Sequence, residues 1–253
     1  MSEIKDSSMR RQRFGGLDMI RGIVLISMIL YHLCWDLVYI YHFDFPWYES
    51  TAAYVWQQSI CWIFIFLSGF CWSLGKHHLK RGLIVFGGGA VISLVTILLL
   101  PEDRVVFGIL TFLGSSMLLM IPLKKWLCKI PAKGGLVLSL LCFLIFRNIN
   151  IGYLGFEPWN FIKLPEFLYR GYVMTYLGFA DAQFFSTDYF SLLPWFFLFL
   201  TGFYTYCIVS ENSRIIGKLQ KGWKPFQFLG RHSLLIYMIH QPVIYGALWT
   251  LYS

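Results

Sequence analysis

Charged residues are scarce in this 253-residue chain: Asp, Glu, Lys and Arg make up only 13% of it, and hydrophobic residues make up 57%. A soluble domain normally carries about a quarter charged residues. The scarcity therefore excludes an ordinary soluble domain and predicts an integral membrane protein. The basic residues behind the net charge of +8 lie in short runs between apolar segments. That pattern is typical of membrane-protein loops, so no nucleic-acid partner is expected.

Several signatures of catalysis and metal binding are also missing. The sequence has no GxSxG, no Walker-type loop and no HExxH, which removes support for soluble-type hydrolases, nucleotidases and metalloproteases. Its six cysteines show no CxxC spacing, so neither a disulfide framework nor a zinc site is indicated and no metal is expected. No internal repeat is visible, which argues against transporters built from inverted halves.

Long apolar runs, in contrast, are abundant, and seven of them approach or exceed the length of about 20 residues that a helix needs to cross a bilayer. They predict an all-α polytopic membrane helical bundle, formed by one transmembrane domain over residues 1–253. The predicted spans are 16–40, 52–75, 82–100, 105–123, 133–148, 188–210 and 231–252.

The distribution of basic residues predicts the orientation of these spans. One set of alternate loops holds sixteen Lys and Arg residues and the opposite set holds four, with Arg21 inside the first span. The positive-inside rule then puts the N-terminus, with a tail of residues 1–15, in the cytoplasm and the C-terminus outside. The apolar run after this tail has no small-residue cleavage site, so an uncleaved first span is expected rather than a signal peptide.

Residues 149–187 form a long external segment under this orientation. The segment is rich in aromatic residues and poor in Ser, Lys and Glu, which favours a folded, functional loop over a disordered one. We expect it to pack over the external mouth of the bundle. Whether it holds a re-entrant or interfacial helix is left open.

Ionisable side chains occur inside the spans, where they are costly and usually face a protein interior or a wet cavity. His32 and Asp36 lie four residues apart on one face of the first span, so the carboxylate can orient the imidazole. The alternative is a purely structural hydrogen bond. His240 lies at a similar depth in the last span, and two such histidines suggest one shared polar interior.

Asp18 and Arg21, three residues apart near the predicted cytoplasmic end of the first span, predict an ion pair. The alternative is that Arg21 is available to a phosphate from the cytoplasm.

The loop after the first span carries His42 and Asp44 among aromatic residues. A belt of aromatics at the membrane surface explains the aromatic residues but not the other two. A histidine titrates near neutrality and can take a proton from an amine or a hydroxyl, or become acylated itself. His42 is therefore the first candidate for a general base, with Asp44 or Asp36 orienting it or the acceptor.

Five segments, in order, resemble one known family. They are RFGGLDMIRGIVLISMILYHLCWDL, WIFIFLSGFCWSLG, VVFGILTFLGSSMLL, STDYFSLLPWFFLFLTG and FLGRHSLLIYMIHQPV. From about Arg13 to Val243 the chain is similar to the bacterial branch of the heparan-alpha-glucosaminide N-acetyltransferase catalytic-domain family, within a superfamily of transmembrane acyltransferases.

The resemblance implies an acyl-CoA-dependent N- or O-acetyltransferase of the bacterial cytoplasmic (inner) membrane. Its acyl donor is cytoplasmic acetyl-CoA, and its acceptor is an amine or hydroxyl of an extracytoplasmic sugar or glycan. In the lysosomal members a first-span asparagine and a histidine in the following loop are linked to catalysis. His32 falls at the position of that asparagine, and His42 falls within one residue of that histidine. Thr111 stands where many bacterial relatives have a histidine.

The implied partners are acyl-CoA, the glycan acceptor and membrane lipid, with a homodimer among the open alternatives. The pantetheine arm, roughly half a bilayer long, would bring the acyl group to His32 and His240. These histidines would hold the acyl carbonyl or relay a proton. Direct transfer and an acyl-histidine intermediate both stay open, as do acceptor identity and acyl length.

Basic residues at the helix ends are the candidate partners of the CoA phosphates, through charge-assisted hydrogen bonds. They are Arg21, Lys80, Arg81 and Arg231. For the last three, the alternative is the ordinary positive-inside bias. The alternative function is a proton-coupled small-molecule transporter or flippase that uses the mid-membrane histidines and aspartate.

Overall fold

A computed structural model of the protein describes residues 14–252, and seven helical segments in that range are long and apolar enough to cross a membrane. In chain order the helices are α1 (Gly15–Tyr39), α2 (Thr51–Trp72), α3 (His78–Leu99), α4 (Ile109–Leu127), α5 (Ala132–Phe146), α6 (Tyr172–Leu177), α7 (Leu192–Val209), α8 (Ser213–Leu219), α9 (Lys224–Arg231) and α10 (Ser233–Tyr252). The spanning helices are α1 to α5, α7 and α10, with the fifth segment continuing to Ile151.

The predicted all-α polytopic fold with seven spans is therefore confirmed. Each helix end lies within four residues of its predicted position. Most of the predicted cytoplasmic tail, residues 1–13, lies outside the described residues, and so does Arg13, where the family resemblance begins.

A small hairpin interrupts the helical pattern in the predicted external segment. Strands β1 (Tyr153–Phe156) and β2 (Trp159–Lys163) pair in antiparallel fashion, with a register shift beside Gly155. Gly155 has a φ of +150°, and a Cβ atom there would lie 2.1 Å from the backbone oxygen of Trp159, so a side chain would clash at this bulge. No strand was predicted here from the sequence.

The chain divides into two compact units. The first unit runs to Leu67 and resumes at Val209, and the second covers Ser68–Ile208. The first unit therefore contains α1, most of α2, and α8 to α10. The second contains the remaining helices and the hairpin.

In the first unit, α9 packs against α1 with almost no space between the two backbones. A Cβ atom on Gly22 would lie 2.1 Å from the backbone oxygen of Phe226, and one on Gly230 would lie 1.9 Å from that of Asp18. Larger residues at these positions would push the helices apart. The glycines thus bring the last residue of α9, Arg231, to the first turns of α1.

Beyond this contact, α1 and α2 share an apolar cluster. Val24, Leu25 and Met28 of α1 and Ile60 of α2 are buried together. The indole Nε1 of Trp56 donates a hydrogen bond of 2.7 Å to the hydroxyl of Ser27. This packing holds α1 in place just before the turns that carry His32 and Asp36.

In the second unit, α4 begins at Ile109, whereas the hydropathy pattern predicted a span from 105. The carboxylate of Asp188 accepts a hydrogen bond of 3.0 Å from the Ile109 backbone N–H. An oxygen acceptor at this position satisfies one of the free N–H groups of a helix start. The cap comes from a residue about eighty positions away, so local sequence could not place this helix end.

Candidate functional site

Two histidines from distant parts of the chain meet in the first unit. His32 of α1 and His240 of α10 have ring centroids 4.8 Å apart, with the ring planes at 58°. Of these two residues His240 is the more deeply buried, with 9% of its surface exposed. The structure thus brings together the two histidines that are predicted from the sequence to lie mid-membrane.

Asp36 lies one turn beyond His32 on α1 and is completely buried. Its Oδ1 accepts a hydrogen bond of 2.5 Å from the side-chain nitrogen of Gln241 on α10. A buried carboxylate needs such donors, because it has lost those of water. Gln241 was not among the residues predicted from the sequence, although a glutamine directly after a histidine in a predicted span was a visible signal.

His240 and Gln241 each carry one further polar atom that is buried. The Nδ1 of His240 lies 2.5 Å from the backbone oxygen of Tyr237, one turn earlier on α10. Within residues 14–252, no protein group hydrogen-bonds to His240 Nε2 or to Gln241 Oε1. We name the group of His32, Asp36, His240 and Gln241 the histidine centre. No set of three or more potential ligands in the described range could hold a metal ion.

A charged cluster lies near the start of α1. One oxygen of Asp18 is 3.6 Å from Arg21, and the other is 3.5 Å from Arg231 of α9. Arg231 also donates a hydrogen bond of 3.0 Å to the side chain of Gln227. The predicted Asp18–Arg21 ion pair is therefore present, and Arg231 joins it. Two guanidinium groups share one carboxylate, which leaves a positive charge.

His42 and Asp44 lie elsewhere in the first unit, on the loop after α1, and both are exposed. His42 has a φ of 57°, a left-handed conformation that is uncommon for any residue except glycine. Neither of the two side chains forms a hydrogen bond or an ion pair with a group in the described part of the chain. They are not part of the histidine centre.

The loop that carries His42 is anchored at its far end by Tyr48. The Tyr48 hydroxyl donates a hydrogen bond of 3.2 Å to the backbone oxygen of Tyr31. Burial raises the pKa of Tyr48, which keeps the hydroxyl protonated as the donor. At its near end, the rings of Tyr41 and Phe43 each lie 5.4 Å from that of Tyr252 on α10. Both ends of the exposed loop are therefore held by contacts with the spanning helices.

Lys80 and Arg81 belong to the second unit, near the start of α3. Lys80 is exposed, whereas the guanidinium of Arg81 lies so close to Gly75 that a Cβ atom there would overlap it.

Two more basic residues, which the sequence analysis did not select, surround the nearby Trp72. Its ring stacks on His78 at 4.0 Å, and the Lys124 amine lies 5.6 Å from its centroid. The second unit thus has a basic cluster of its own.

Comparison with known families gives one match. The model of the family described as "Heparan-alpha-glucosaminide N-acetyltransferase, catalytic" matches residues 13–242, which is nearly the whole chain. The matched range contains all four residues of the histidine centre. No curated protein and no solved structure shows significant similarity to the chain.

Proposed function

We propose, because the chain belongs to the heparan-alpha-glucosaminide N-acetyltransferase catalytic family, that it transfers an acetyl group from acetyl-CoA to an amine or hydroxyl of a sugar or glycan. The proposed place of the reaction is the histidine centre between α1 and α10. The observation that carries this proposal is the contact of His32 with His240 at 4.8 Å. The protein would act in the bacterial cytoplasmic membrane.

The chemistry of acyl transfer fits this group of residues. The acceptor nitrogen or oxygen must lose a proton as it attacks the thioester carbon, and the sulfur of CoA must leave with the electron pair of the C–S bond. An imidazole can take that proton. A second imidazole in contact with the first can receive it in turn, and a buried carboxylate one turn away stabilises the positive charge.

The charged cluster at the start of α1 suits the other end of acetyl-CoA. Eleven residues separate Arg21 from His32, which is about 16 Å along a helix. A pantetheine arm of roughly half a bilayer would cover this distance. We therefore propose that Arg21 and Arg231 bind CoA phosphates on the cytoplasmic side. The predicted role of Lys80 and Arg81, which belong to the second unit, as phosphate partners stays a prediction.

The role of His42 as a general base stays a prediction. Its exposed position suits the first contact with an acceptor that arrives from outside, together with Asp44. This assignment uses the predicted orientation, in which the loop after α1 is external. Asp44→Cys should then react with a membrane-impermeant maleimide added to intact cells, and protection of that cysteine would contradict the orientation.

The proposal is tested with purified protein in nanodiscs, acetyl-CoA labelled in its acetyl group, and glucosamine as acceptor. We expect labelled product from the wild type and a loss of about a hundredfold with His32→Ala. His77→Ala, which removes an exposed histidine of the second unit, serves as the matched control. Wild-type protein that neither binds CoA nor transfers label would contradict the proposal. Proton uptake driven by an amino sugar in proteoliposomes, without transfer, would instead support the transporter alternative.

A further inference from the structure

The hydrogen bond of His240 fixes the position of its proton. A backbone carbonyl oxygen can only accept, so the Nδ1 that lies 2.5 Å from the oxygen of Tyr237 must carry the hydrogen. In the neutral imidazole the other nitrogen, Nε2, then has a lone pair and no hydrogen. This Nε2 is the buried atom that has no hydrogen-bond partner within residues 14–252. His240 therefore presents an acceptor.

The orientation of Gln241 follows from the same reasoning. A carboxylate only accepts, so the amide nitrogen of Gln241 must be the atom that faces Asp36, at 2.5 Å. The amide oxygen, Oε1, is then directed elsewhere. It too is buried, and no donor from residues 14–252 reaches it. Gln241 therefore presents a second acceptor.

The side chains that carry the two acceptors both contact one strip of α1. His240 meets His32, Gln241 meets Asp36, and the two α1 residues lie one turn apart on the same helix face. Residues four apart on a helix have Cβ atoms about 5–6 Å from each other. The two acceptor atoms therefore belong to adjacent residues of α10 whose side chains contact the same short stretch of α1, which is the arrangement that a single bound molecule with two polar groups would need.

The chemical character of this pair selects among the reactants. Buried acceptors that lack a donor are unfavourable, so the pair favours a ligand with N–H or O–H groups. The carbonyl oxygen of an acyl thioester is itself an acceptor and cannot satisfy either atom. A neutral amine has two N–H groups and can donate to both atoms, whereas a hydroxyl has one hydrogen and can donate to one of them.

We propose that His240 Nε2 and Gln241 Oε1 bind the amine or hydroxyl of the acceptor substrate, and that Asp36 is a positioning residue that orients the amide of Gln241. This inference rests on the proposed acyl transfer. The acceptor nitrogen or oxygen forms a bond to the thioester carbon while the C–S bond breaks, with its electron pair going to sulfur. The acceptor's proton moves to His240 Nε2 and from there to the CoA thiolate. Of the two roles predicted for His240, this is the proton relay and not the binding of the acyl carbonyl.

A first experiment reads the tautomer of His240 without any assay of activity. Protein labelled with 15N-histidine in nanodiscs gives signals from six histidines, and His240→Gln identifies the signal of interest by its disappearance. We expect a protonated Nδ1 and an unprotonated Nε2, whose signal shifts when glucosamine is added. A hydrogen on Nε2, or no response to glucosamine, would overturn the inference whether or not the protein transfers acetyl groups.

A second experiment separates the two substrates by kinetics. Gln241→Met keeps the length of the side chain but removes its acceptor, so we expect the KM for glucosamine to rise about tenfold. The KM for acetyl-CoA should stay within about twofold. In Gln241→Glu, the two adjacent carboxyl groups would share one proton, so that residue 241 keeps an acceptor oxygen. This variant should recover most of the affinity for glucosamine that Gln241→Met loses. Gln183→Met, at an exposed glutamine of the second unit, controls for the chemistry of the substitution.

The reverse kinetic pattern would overturn the inference: a changed KM for acetyl-CoA with an unchanged KM for glucosamine would assign the centre to the acyl carbonyl. No change in either KM would overturn it as well. If the wild type transfers no acetyl group at all, the proposed function fails, and the NMR measurement alone decides which kind of group the centre binds.

Discussion

The histidine centre and the loop after α1 both carry histidines, but they differ in burial and in the contacts of these side chains. His32 and His240 are held against each other by two helices. His42 stands exposed on a loop. Reactive acyl groups are protected from hydrolysis by exclusion of water, and interactions with charge are stronger where the dielectric constant is low. The buried centre therefore suits the proposed transfer step, and the exposed loop suits the proposed first contact with the acceptor.

The largest effect on activity is expected from a substitution of His240. His240→Ala removes both the proton acceptor and the ring that contacts His32, so we expect kcat to fall by about a hundredfold or more. The measurement is the initial rate of label transfer at saturating acetyl-CoA. His77→Ala should leave that rate unchanged. If transfer survives His240→Ala, the buried centre is not where the proton is taken.

Asp36→Leu should destabilise the protein. The substitution removes the carboxylate that accepts the Gln241 amide, and loss of a hydrogen bond to a charged group costs about 1.5–3 kcal/mol in the free energy of unfolding. Thermal unfolding in detergent gives the change in Tm. Asp44→Leu, on the exposed loop, should change Tm far less. If the two variants lowered Tm equally, the buried centre would contribute no more to stability than the exposed loop does.

A smaller effect is expected at the start of α1. Arg21→Gln should raise the KM for acetyl-CoA about threefold, because it removes one charge that the CoA phosphates would meet. The KM for glucosamine should not change. Arg214→Gln, at an exposed arginine of α8, is the matched control. The same increase in both variants would mean that only the overall positive charge of this side matters.

The sequence predicted those features that depend on local patterns. Hydropathy placed the seven spans, and helical spacing put His32 one turn from Asp36 and predicted the ion pair of Asp18 with Arg21. Contacts between segments that are far apart in the sequence could not be predicted from it. The partner of Asp36 is Gln241, about two hundred positions later, and no periodicity within α1 or α10 pairs these residues.

The hairpin was missed for a different reason. β2 reads WNFIK, in which Phe161 and Ile162 are adjacent apolar residues, so it lacks the strict alternation of apolar and polar residues by which strands are recognised in a sequence. The start of α4 was displaced because its cap, Asp188, comes from a distant part of the chain. These failures concern segments whose structure depends on tertiary contacts rather than on their own composition.

The smallest effect on stability is expected for His42→Gly, so this variant tests the role of the loop histidine in transfer without unfolding the protein. His42 has a φ of 57°, which glycine adopts without strain. Relief of that strain opposes the greater entropy of the unfolded chain, so the free energy of unfolding should change by less than about 1 kcal/mol. Any loss of transfer can then be assigned to the imidazole and not to misfolding. We expect transfer to fall by less than about tenfold, because His240 is the proposed acceptor of the proton. A loss as large as that of His240→Ala would make His42 the general base and move the reaction to the membrane surface.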